Sequence, residues 1–549
     1  MDMQRLIVFF VFSFSLLMLW EAWQREARGP QPPAASAPQA VPAPSAVPKP
    51  PAVNGAAPAT PRVPAGEAAA TPRERVRVTT DTLIADIDTL GGDIVYVELL
   101  QHKDAQDETK NMVLFGPEHR YAAQSGLIGP GLPNHRTAYA ALQKQASLAP
   151  GSDRVDVRLQ APGPDGVKVT KILTFRRGSY LIDIAYQLDN GSAGPIAGHA
   201  YYQLVRDGKS PAGENALAYV YTGPAVYTEQ DKFQKVAFGD IDKGKTPYSR
   251  TADNGWVAMI QHYFVSAILP PDKTPREFYT RKLGEEYYSV GVILPLPALA
   301  PGSSSTVAAP LYVGPQEQER LKAVAPALDL VVDYGWLTII AAPLFWVLQL
   351  FHGWAGNWGI AIILLTVVIK LIFYPLSATS YRSMAKMKMV APRLTKIRET
   401  YADDRMKQNQ AMMELYKTEK INPLGGCLPI VVQIPVFIAL YWVLLAAVEL
   451  RHAPFYGWIR DLSAPDPWFV LPALMMGSML IQTKMNPTPP DPVQAKVMMI
   501  MPFAFGVMFF FFPAGLVLYW LVNNVLSILQ QWQITRMLEG QKAAAAAKR

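Results

Sequence analysis

A single lysine, Lys370, stands inside a long apolar run that begins near Ile360. An ammonium at the centre of a bilayer costs about 2.5–3.5 kcal/mol, so this position needs a physical reason. Helical spacing predicts that Thr366 and Tyr374 share its face, one turn to either side. Lys370 could bind carboxylates in a water-filled cavity open to the cytosol. Alternatively, its long stem could reach the membrane surface near Ser377, about 10 Å away.

Other apolar segments near the C-terminus also carry polar residues. These residues are Gln433, Asn523, Asn524 and Gln530. Several polar groups in one small helical bundle favour a wet cavity over a lysine that merely reaches the surface. We therefore take Lys370, Thr366 and Gln433 as candidate groove residues.

Residues 239–246 match the phosphate-binding pattern G-x-x-x-x-G-K-[ST]. A true site of this kind follows a buried strand and opens a helix, whose N–H groups hold the phosphate. Here the preceding residues 231–238 are at best a half-buried strand, and Pro247 follows. We predict a Gly/Lys turn between two strands and no nucleotide cofactor.

The remaining motifs argue against an enzyme or a metal site. The sequence contains neither H-E-x-x-H nor G-x-S-x-G. The single cysteine, Cys427, allows no disulfide within the chain and no Cys/His zinc spacing. We expect a protein that is not an enzyme and that holds no metal or other cofactor.

The composition indicates a membrane protein with more than one folding unit. Of the 549 residues, 50% are hydrophobic and 17% are charged. The apolar residues concentrate in residues 6–23 and again after about residue 336, in runs that are typical of membrane spans. The formal charge of +7 lies mainly beside those runs, which argues against nucleic-acid binding.

The sequence of residues 1–325 predicts an anchor, a tether and a folded domain. Residues 1–25 could be a cleaved signal peptide, but charged residues stand where cleavage would occur, so we favour an uncleaved anchor. Residues 26–75 form a Pro/Ala-rich linker, with 13 prolines between residues 29 and 72. Residues 76–325 alternate apolar and polar side chains between turn residues, which predicts an antiparallel β-sandwich closed by a short helix.

The C-terminal half predicts a helical membrane core. Residues 326–356 are expected to form an amphipathic helix in the outer interface, and residues 357–535 five spans. The predicted spans cover residues 358–377, 427–447, 468–483, 497–512 and 516–533. A second possibility is that residues 336–351 cross the membrane. Loop 378–424, with ten Lys/Arg, would then lie outside, which the positive-inside rule disfavours.

Loop 378–424 predicts a cytosolic helical hairpin. On the first helix, Met384, Met387, Leu394 and Ile397 recur at helical spacing, with Lys386 and Lys388 beside them. On the return helix, the apolar positions are Met412, Met413, Leu415 and Tyr416. The hairpin could simply pack on itself in water, or its methionines could adapt to apolar partners. The basic tail, residues 536–549, is expected on the same side.

Several motifs together resemble the YidC/Oxa/Alb family of membrane protein insertases. They are Asn-Trp-Gly at 357–359, Tyr-Pro-Leu at 374–376, Ser-Met-Ala-Lys-Met at 383–387, Asn-Pro-Leu-Gly-Gly-Cys at 422–427, Gln-x-Pro at 433–435, Val-Glu-Leu-Arg at 448–451 and Phe-Pro-x-Gly-Leu-Val-Leu-Tyr at 512–519. The resemblance spans the whole chain and is most specific in residues 330–535. It implies a helical core of five spans with an N-terminal anchor helix and a large periplasmic all-β supersandwich domain.

The resemblance also implies a mechanism without nucleotide hydrolysis. In the family, a groove open to cytosol and lipid receives the polar tail of a nascent protein, and the substrate helix slides out into the bilayer. The matching groove residues here are Lys370, Thr366, Gln433, Tyr519 and Trp520, and the matching slide residues are Ile434, Pro435, Phe437, Phe505 and Met508. Two positions depart from the family pattern. Lys370 stands where arginine is usual, which loses the planar donor fork, and Trp520 stands where tyrosine is usual.

The family further implies the partners and the location. The expected partners are nascent membrane proteins, the lipid bilayer, the Sec translocon, and the ribosome with its signal-recognition targeting machinery, which would dock at the cytosolic hairpin. The expected location is the bacterial inner membrane, with both termini in the cytosol and the β domain in the periplasm. The alternative function is a small-solute transporter or channel that uses the same polar cavity, although the internal repeat typical of transporters is not found in the sequence.

Overall fold

The computed structural model describes residues 74–104, 107, 109–211, 220–402, 404–419, 428–486 and 492–547. The predicted anchor, nearly all of the predicted linker, and Cys427 lie outside these residues. The described chain forms a β-sandwich followed by a helical core, which confirms the predicted fold class.

The β-sandwich consists of two sheets, one of ten strands and one of nine. Its strands are β1 (Arg75–Thr79), β2 (Leu83–Asp88), β3 (Ile94–Lys103), β4 (Asn111–Phe115), β5 (Ala122–Ile128), β6 (Ala140–Ala141), β7 (Gln145–Ser147), β8 (Arg154–Pro162), β9 (Val167–Arg176), β10 (Leu181–Asn190), β11 (Ile196–Asp207), β12 (Gly223–Thr228), β13 (Lys232–Lys235), β14 (Thr251–Ala252), β15 (Trp256–Gln261), β16 (Phe264–Ile268), β17 (Arg276–Gly284), β18 (Tyr287–Leu299) and β19 (Ser304–Pro315).

The two sheets are almost entirely antiparallel. The first has the order β14-β17-β18-β11-β5-β3-β2-β1-β7, with β4 added beside β3. The second has the order β13-β12-β15-β16-β19-β10-β9-β8-β6. The described pairings are antiparallel except that of β1 with the short edge strand β7. Alternation along β9 and β10 sends Leu173 and Ile182 into the space between the sheets, where both are fully buried.

The helical core follows two short helices that belong to the β-sandwich. Those two are α1 (Phe238–Asp242) and α2 (Gln318–Val324), and the core helices are α3 (Thr338–Ala355), α4 (Trp358–Ile372), α5 (Tyr374–Thr400), α6 (Arg405–Thr418), α7 (Leu428–Ala446), α8 (Val470–Met485), α9 (Pro492–Phe509) and α10 (Ala514–Ala547). Helix α10 packs against α4, α5 and α8, so it lies at the centre of the bundle. It also runs well past the predicted span 516–533 and makes most of the predicted tail helical.

The first predicted span is wrong at its C-terminal end. The sequence predicts a span over residues 358–377, but α4 ends at Ile372 and α5 leaves at an angle of 67°. Pro375 explains the break, because its ring excludes an uninterrupted helix and suits the first turn of a new one. Lys370 therefore lies in the last turn of α4, where the helix dipole favours a cation.

Within the described ranges, α3 is the one single helix that is long and apolar enough to cross a membrane. Helices α4 and α5 meet the same criteria only when they are counted together as one bent span. Ile339, Trp346 and Trp354 of α3 are exposed, whereas Phe345 and Leu348 are buried. One face of α3 thus packs on the core, against α4 and α7, and the other presents large apolar side chains.

The end of α7 and the loop after it contact the β-sandwich. His262 Nε2 donates to the Leu445 carbonyl oxygen at 3.1 Å. The Arg451 guanidinium lies 5.3 Å from the centre of the Phe264 ring. Glu449 is buried beside Gln318, and burial raises its pKa to about 7. The two parts of the molecule therefore share a partly charged interface.

Candidate functional site

Lys370 is a residue of α4, and its side chain is directed towards α10, where it is 5% exposed. Its Nζ donates to Ser527 Oγ at 2.7 Å. The Ser527 hydroxyl in turn donates to the Asn523 carbonyl oxygen at 2.8 Å, one turn earlier in α10. The Tyr381 hydroxyl of α5 approaches the same serine. The lysine thus contacts a serine that the sequence reasoning does not single out.

Thr366 and Tyr374 behave differently from each other. Thr366 is fully buried one turn before Lys370, and its hydroxyl donates to the Ile362 carbonyl oxygen at 2.7 Å. Tyr374, predicted to share that face, lies beyond the break at Phe373 and is 37% exposed. The prediction for Tyr374 is wrong because helical periodicity does not extend across the bend.

The two asparagines of α10, Asn523 and Asn524, lie on different faces of the helix and do not form one cluster. Gln433 Nε2 donates to Asn523 Oδ1 at 3.1 Å, on the side of α10 that carries the Lys370 contact. Asn524 Nδ2 donates to Ser478 Oγ of α8 at 2.8 Å. Successive residues of a helix point about 100° apart. Asn523 therefore lies on the face that contains the Lys370 contact, whereas Asn524 connects α10 to α8.

An aromatic cluster connects α7, α9 and α10 of the same bundle. The Phe437 ring stacks at 6.1 Å from the ring centre of Tyr519, which is buried. It also meets the Trp520 ring edge-on at 4.5 Å, and Trp520 lies 4.9 Å from Phe509. In the part of the chain that the structure describes, Trp520 Nε1 is buried without a hydrogen-bond acceptor. Trp520 thus has an N–H donor without a described partner, at the position where the resemblance implies a tyrosine.

The expected slide residues lie on α7 and α9. Ile434 is 39% exposed, and Pro435 sits inside α7, where it removes one backbone donor. Phe505 and Met508 are half-buried on α9, against the apolar core. These residues form apolar walls on two helices.

The hairpin of α5 and α6 has its own small core. Val390 and Leu394 are buried there, and Met412 packs against them. Met384 is half-buried, Lys386 and Lys388 are exposed, and Met413 is 56% exposed. Met412 therefore stabilises the hairpin, whereas Met413 and the two lysines remain accessible.

Charge around Lys370 is not balanced by the chain. Within the described ranges, its neighbourhood contains no ion pair to a carboxylate, and its one hydrogen bond goes to a neutral hydroxyl. The same residues contain no group of three His, Cys, Asp or Glu side chains placed to hold a metal ion. The site can therefore attract an anion.

The phosphate-like motif has the wrong surroundings. The sequence predicts a simple turn over residues 239–246, but the one-turn helix α1 occupies its start, a correction to that prediction. The strand before it, β13, is the short edge strand of its sheet. Lys245 Nζ lies 3.7 Å from Asp240 Oδ1, an exposed pair. A buried strand leading into a long helix, as a phosphate cradle requires, is not formed by these described residues.

A β-sandwich joined to a bundle of apolar helices, with an unbalanced lysine between two of them, defines a membrane protein with a polar site in its helical core. Residues 75–347 match the family model described as the YidC periplasmic domain, and residues 350–542 match that of the 60Kd inner membrane protein.

The similarity to curated relatives covers the whole chain. Proteins named membrane protein insertase YidC are 57% identical in Aromatoleum aromaticum, over 99% of this chain and 100% of the relative, and in Dechloromonas aromatica, over 100% of both. A crystal structure of an active YidC insertase aligns with 86% of this chain and 94% of that chain, at 17% identity and a TM-score of 0.40. The chain belongs to the YidC family of inner membrane proteins.

Proposed function

We propose that this chain inserts nascent inner-membrane proteins into the lipid bilayer and assists their folding. The relatives named membrane protein insertase support this, at 57% identity over the whole length. The proposed receiving groove consists of Lys370, Thr366, Gln433, Tyr519 and Trp520. It would accept the polar, often acidic, tail of a substrate while the tail crosses the membrane.

The observation that carries the proposal is the uncompensated charge of Lys370. A buried cation normally acquires a carboxylate partner, because the partner offsets part of its desolvation. Among the residues that the structure describes, Lys370 instead has one hydrogen-bond partner, the neutral hydroxyl of Ser527. Its ammonium has three donors, and one is used by Ser527, so the others can bind a substrate carboxylate or water.

The hydrophobic part of a substrate would leave along α7 and α9. Ile434, Pro435, Phe437, Phe505 and Met508 would guide the substrate helix into lipid. The exposure of Ile434 and the half-buried Met508 support this path. Methionine adapts to differently shaped apolar surfaces, which suits a path used by many sequences.

The hairpin would receive the targeting machinery. Met384, Lys386, Lys388 and Met413 would contact the ribosome or the signal-recognition components, with Met412 holding the hairpin together. The chain would act alone or beside the Sec translocon. Both termini and the hairpin would be cytosolic, the β-sandwich periplasmic, and α3 would lie in the outer interface, in agreement with the positive-inside rule.

Crosslinking to a stalled substrate tests whether the substrate contacts both the proposed groove and the proposed exit route along α7 and α9. A photo-crosslinker is placed at Thr366, Pro435 or Met508, and a ribosome-stalled membrane protein is presented. We expect crosslinks at all three positions. The control position is Leu474 of α8, which is 54% exposed and apolar. Crosslinks to Leu474 of equal yield would contradict a defined path.

Insertion without nucleotide hydrolysis by this chain has a separate test. Lys245→Ala removes the one lysine of the phosphate-like motif. We expect insertion by purified protein in liposomes to be unchanged, because Lys245 is exposed and the motif lacks a buried strand. Complete loss of insertion would overturn this part of the proposal.

A further inference from the structure

We propose that Ser527 is the positioning residue of the groove: it holds the Lys370 ammonium at the place where a substrate carboxylate binds. This inference rests on the proposed role of Lys370 and adds a residue that neither the motifs nor the family resemblance assigns. It begins from the 2.7 Å hydrogen bond between Lys370 Nζ and Ser527 Oγ, both of which are buried.

A lysine needs such a partner more than an arginine does. The ammonium is a compact charge on a flexible four-carbon stem, whereas the guanidinium is a rigid fork with five donors. Lys370 stands in the last turn of α4, three residues before the bend, so the stem could also carry its charge towards the cytosolic surface. A fixed acceptor inside the bundle keeps the ammonium in one place.

The Ser527 hydroxyl is itself fixed. It donates its proton to the Asn523 carbonyl oxygen at 2.8 Å, within the same helix. A hydroxyl has one donor and two lone pairs, so Ser527 can only accept from Lys370. The Tyr381 hydroxyl of α5 interacts with the same serine. The hydrogen bond to Asn523 therefore fixes the orientation of the Ser527 hydroxyl on α10, so that its oxygen can accept from Lys370.

The neighbouring polar residues do not duplicate this function. Asn523 Oδ1 is occupied by Gln433. Asn524 is turned towards Ser478 of α8. Among the residues that the structure describes, Ser527 is thus the side chain recorded as a hydrogen-bond partner of the Lys370 ammonium.

The structure supplies a matched control in Ser478. Its hydroxyl is also buried, donates to a backbone oxygen of its own helix, that of Met475 at 2.7 Å, and accepts from a nitrogen of a neighbouring helix, that of Asn524 at 2.8 Å. The two serines differ chiefly in the charge of the group that donates to them. Loss of each hydroxyl should cost similar packing, but only Ser527 acts on the lysine.

The test measures insertion by the full-length protein in liposomes, with two substrates that differ only in an acidic or a neutral tail. We expect Ser527→Ala to slow insertion of the acidic-tailed substrate about tenfold, the loss expected for one hydrogen bond from a charged donor, and that of the neutral one less than about twofold. Ser527→Thr restores the hydroxyl and should restore the rate. Ser478→Ala should affect both substrates equally.

A double-mutant cycle separates positioning from folding. In a Lys370→Met background, Ser527→Ala should have no further effect on the acidic-tailed substrate, because no charge remains to be positioned. An equal loss for both tails that threonine does not rescue would overturn the inference, as would an unaffected rate in Ser527→Ala.

The same cycle tells the two hypotheses apart. If Lys370→Met itself leaves acidic-tailed insertion unchanged, the proposed role of Lys370 fails and Ser527 has nothing to position. If Lys370→Met slows insertion while Ser527→Ala does not, the groove stands and only the positioning role fails.

Discussion

Two lysines, Lys171 and Lys370, are buried in the part of the chain that the structure describes, and their surroundings differ. Lys171 of β9 is 1% exposed, donates to the Gly91 carbonyl oxygen at 3.0 Å and lies 5.4 Å from the centre of the Tyr186 ring. Burial lowers its pKa to about 8 and raises that of Asp93 to about 7, while the attraction between the two opposes both shifts. Within the described ranges, Lys370 in the helical core has the hydroxyl of Ser527 as its hydrogen-bond partner.

The difference supports a separate role for each lysine. In the sandwich, a lysine and a carboxyl group are buried near each other, and their attraction offsets part of the cost of burying both. In the helical core, we propose that the carboxylate of a substrate compensates the cation, because the described residues place no carboxylate beside it. A buried charge without an internal partner is costly, and its retention is explained by function more readily than by stability.

The same substitution should therefore act in opposite ways at the two sites. Lys171→Met leaves Asp93 buried without its cation, and we expect the β-sandwich to lose about 3–5 kcal/mol of unfolding free energy. The loss should be larger at pH 8 than at pH 6, because Asp93 can neutralise itself by protonation at the lower pH. Denaturant unfolding of the full chain in detergent measures both effects.

The control for this variant is Lys168→Met, on the same strand but exposed. It should change the unfolding free energy by less than about 0.5 kcal/mol. Equal stability of the Lys171→Met variant and the parent protein would show that the buried pair is not a structural element.

The sequence predicts Lys370 more readily than Lys171, for a physical reason. An apolar run of membrane length makes any charge in it conspicuous, so Lys370 is identified without a structure. Lys171 lies in an alternating strand, where one charge is easily overlooked. Its register with the buried Leu173, two residues on, places it on the inward face, and that signal could have found it.

Packing between helices is what the sequence does not predict. The fold class follows from run length and alternation, which are local. The contact of Lys370 with Ser527 and the different partners of Asn523 and Asn524 depend on how α10 is rotated against its neighbours. Ser527 stands one turn after Asn523, so helical spacing could have added it to the candidates.

The interface between the two regions should respond to pH with a smaller effect. Burial raises the pKa of Glu449 from 4.5 to about 7. The folded state then holds a proton that the unfolded chain has lost, so stability falls as the pH rises between these values and levels off above them. Glu449→Gln should remove this slope and stabilise the protein at pH 8 by on the order of 1–3 kcal/mol.

Melting temperatures of the full chain between pH 4.5 and 8 measure this effect. The exposed Glu118→Gln serves as control and should leave the slope unchanged. A slope that persists in the Glu449→Gln variant would assign it to another group of the interface.

The smallest expected effect on stability is that of Lys370→Met. Removing a buried cation that has no carboxylate partner should be neutral or stabilising, within about 1 kcal/mol. The serine keeps its bond to the Asn523 carbonyl oxygen, so no donor is orphaned. Unfolding in detergent, beside the Lys171→Met variant, gives the comparison directly. A loss as large as that at Lys171 would mean that Lys370 has a structural role.

A charge exchange between groove and substrate tests most directly whether Lys370 receives the substrate charge. The variants Lys370→Glu and Lys370→Arg are each offered substrates with an acidic or a basic exported tail, and insertion into liposomes is measured. We predict that Lys370→Arg inserts acidic tails as the parent protein does, and that Lys370→Glu loses them about tenfold or more while gaining on basic tails. Equal insertion of acidic tails by the lysine and glutamate proteins would contradict a groove that works by charge attraction.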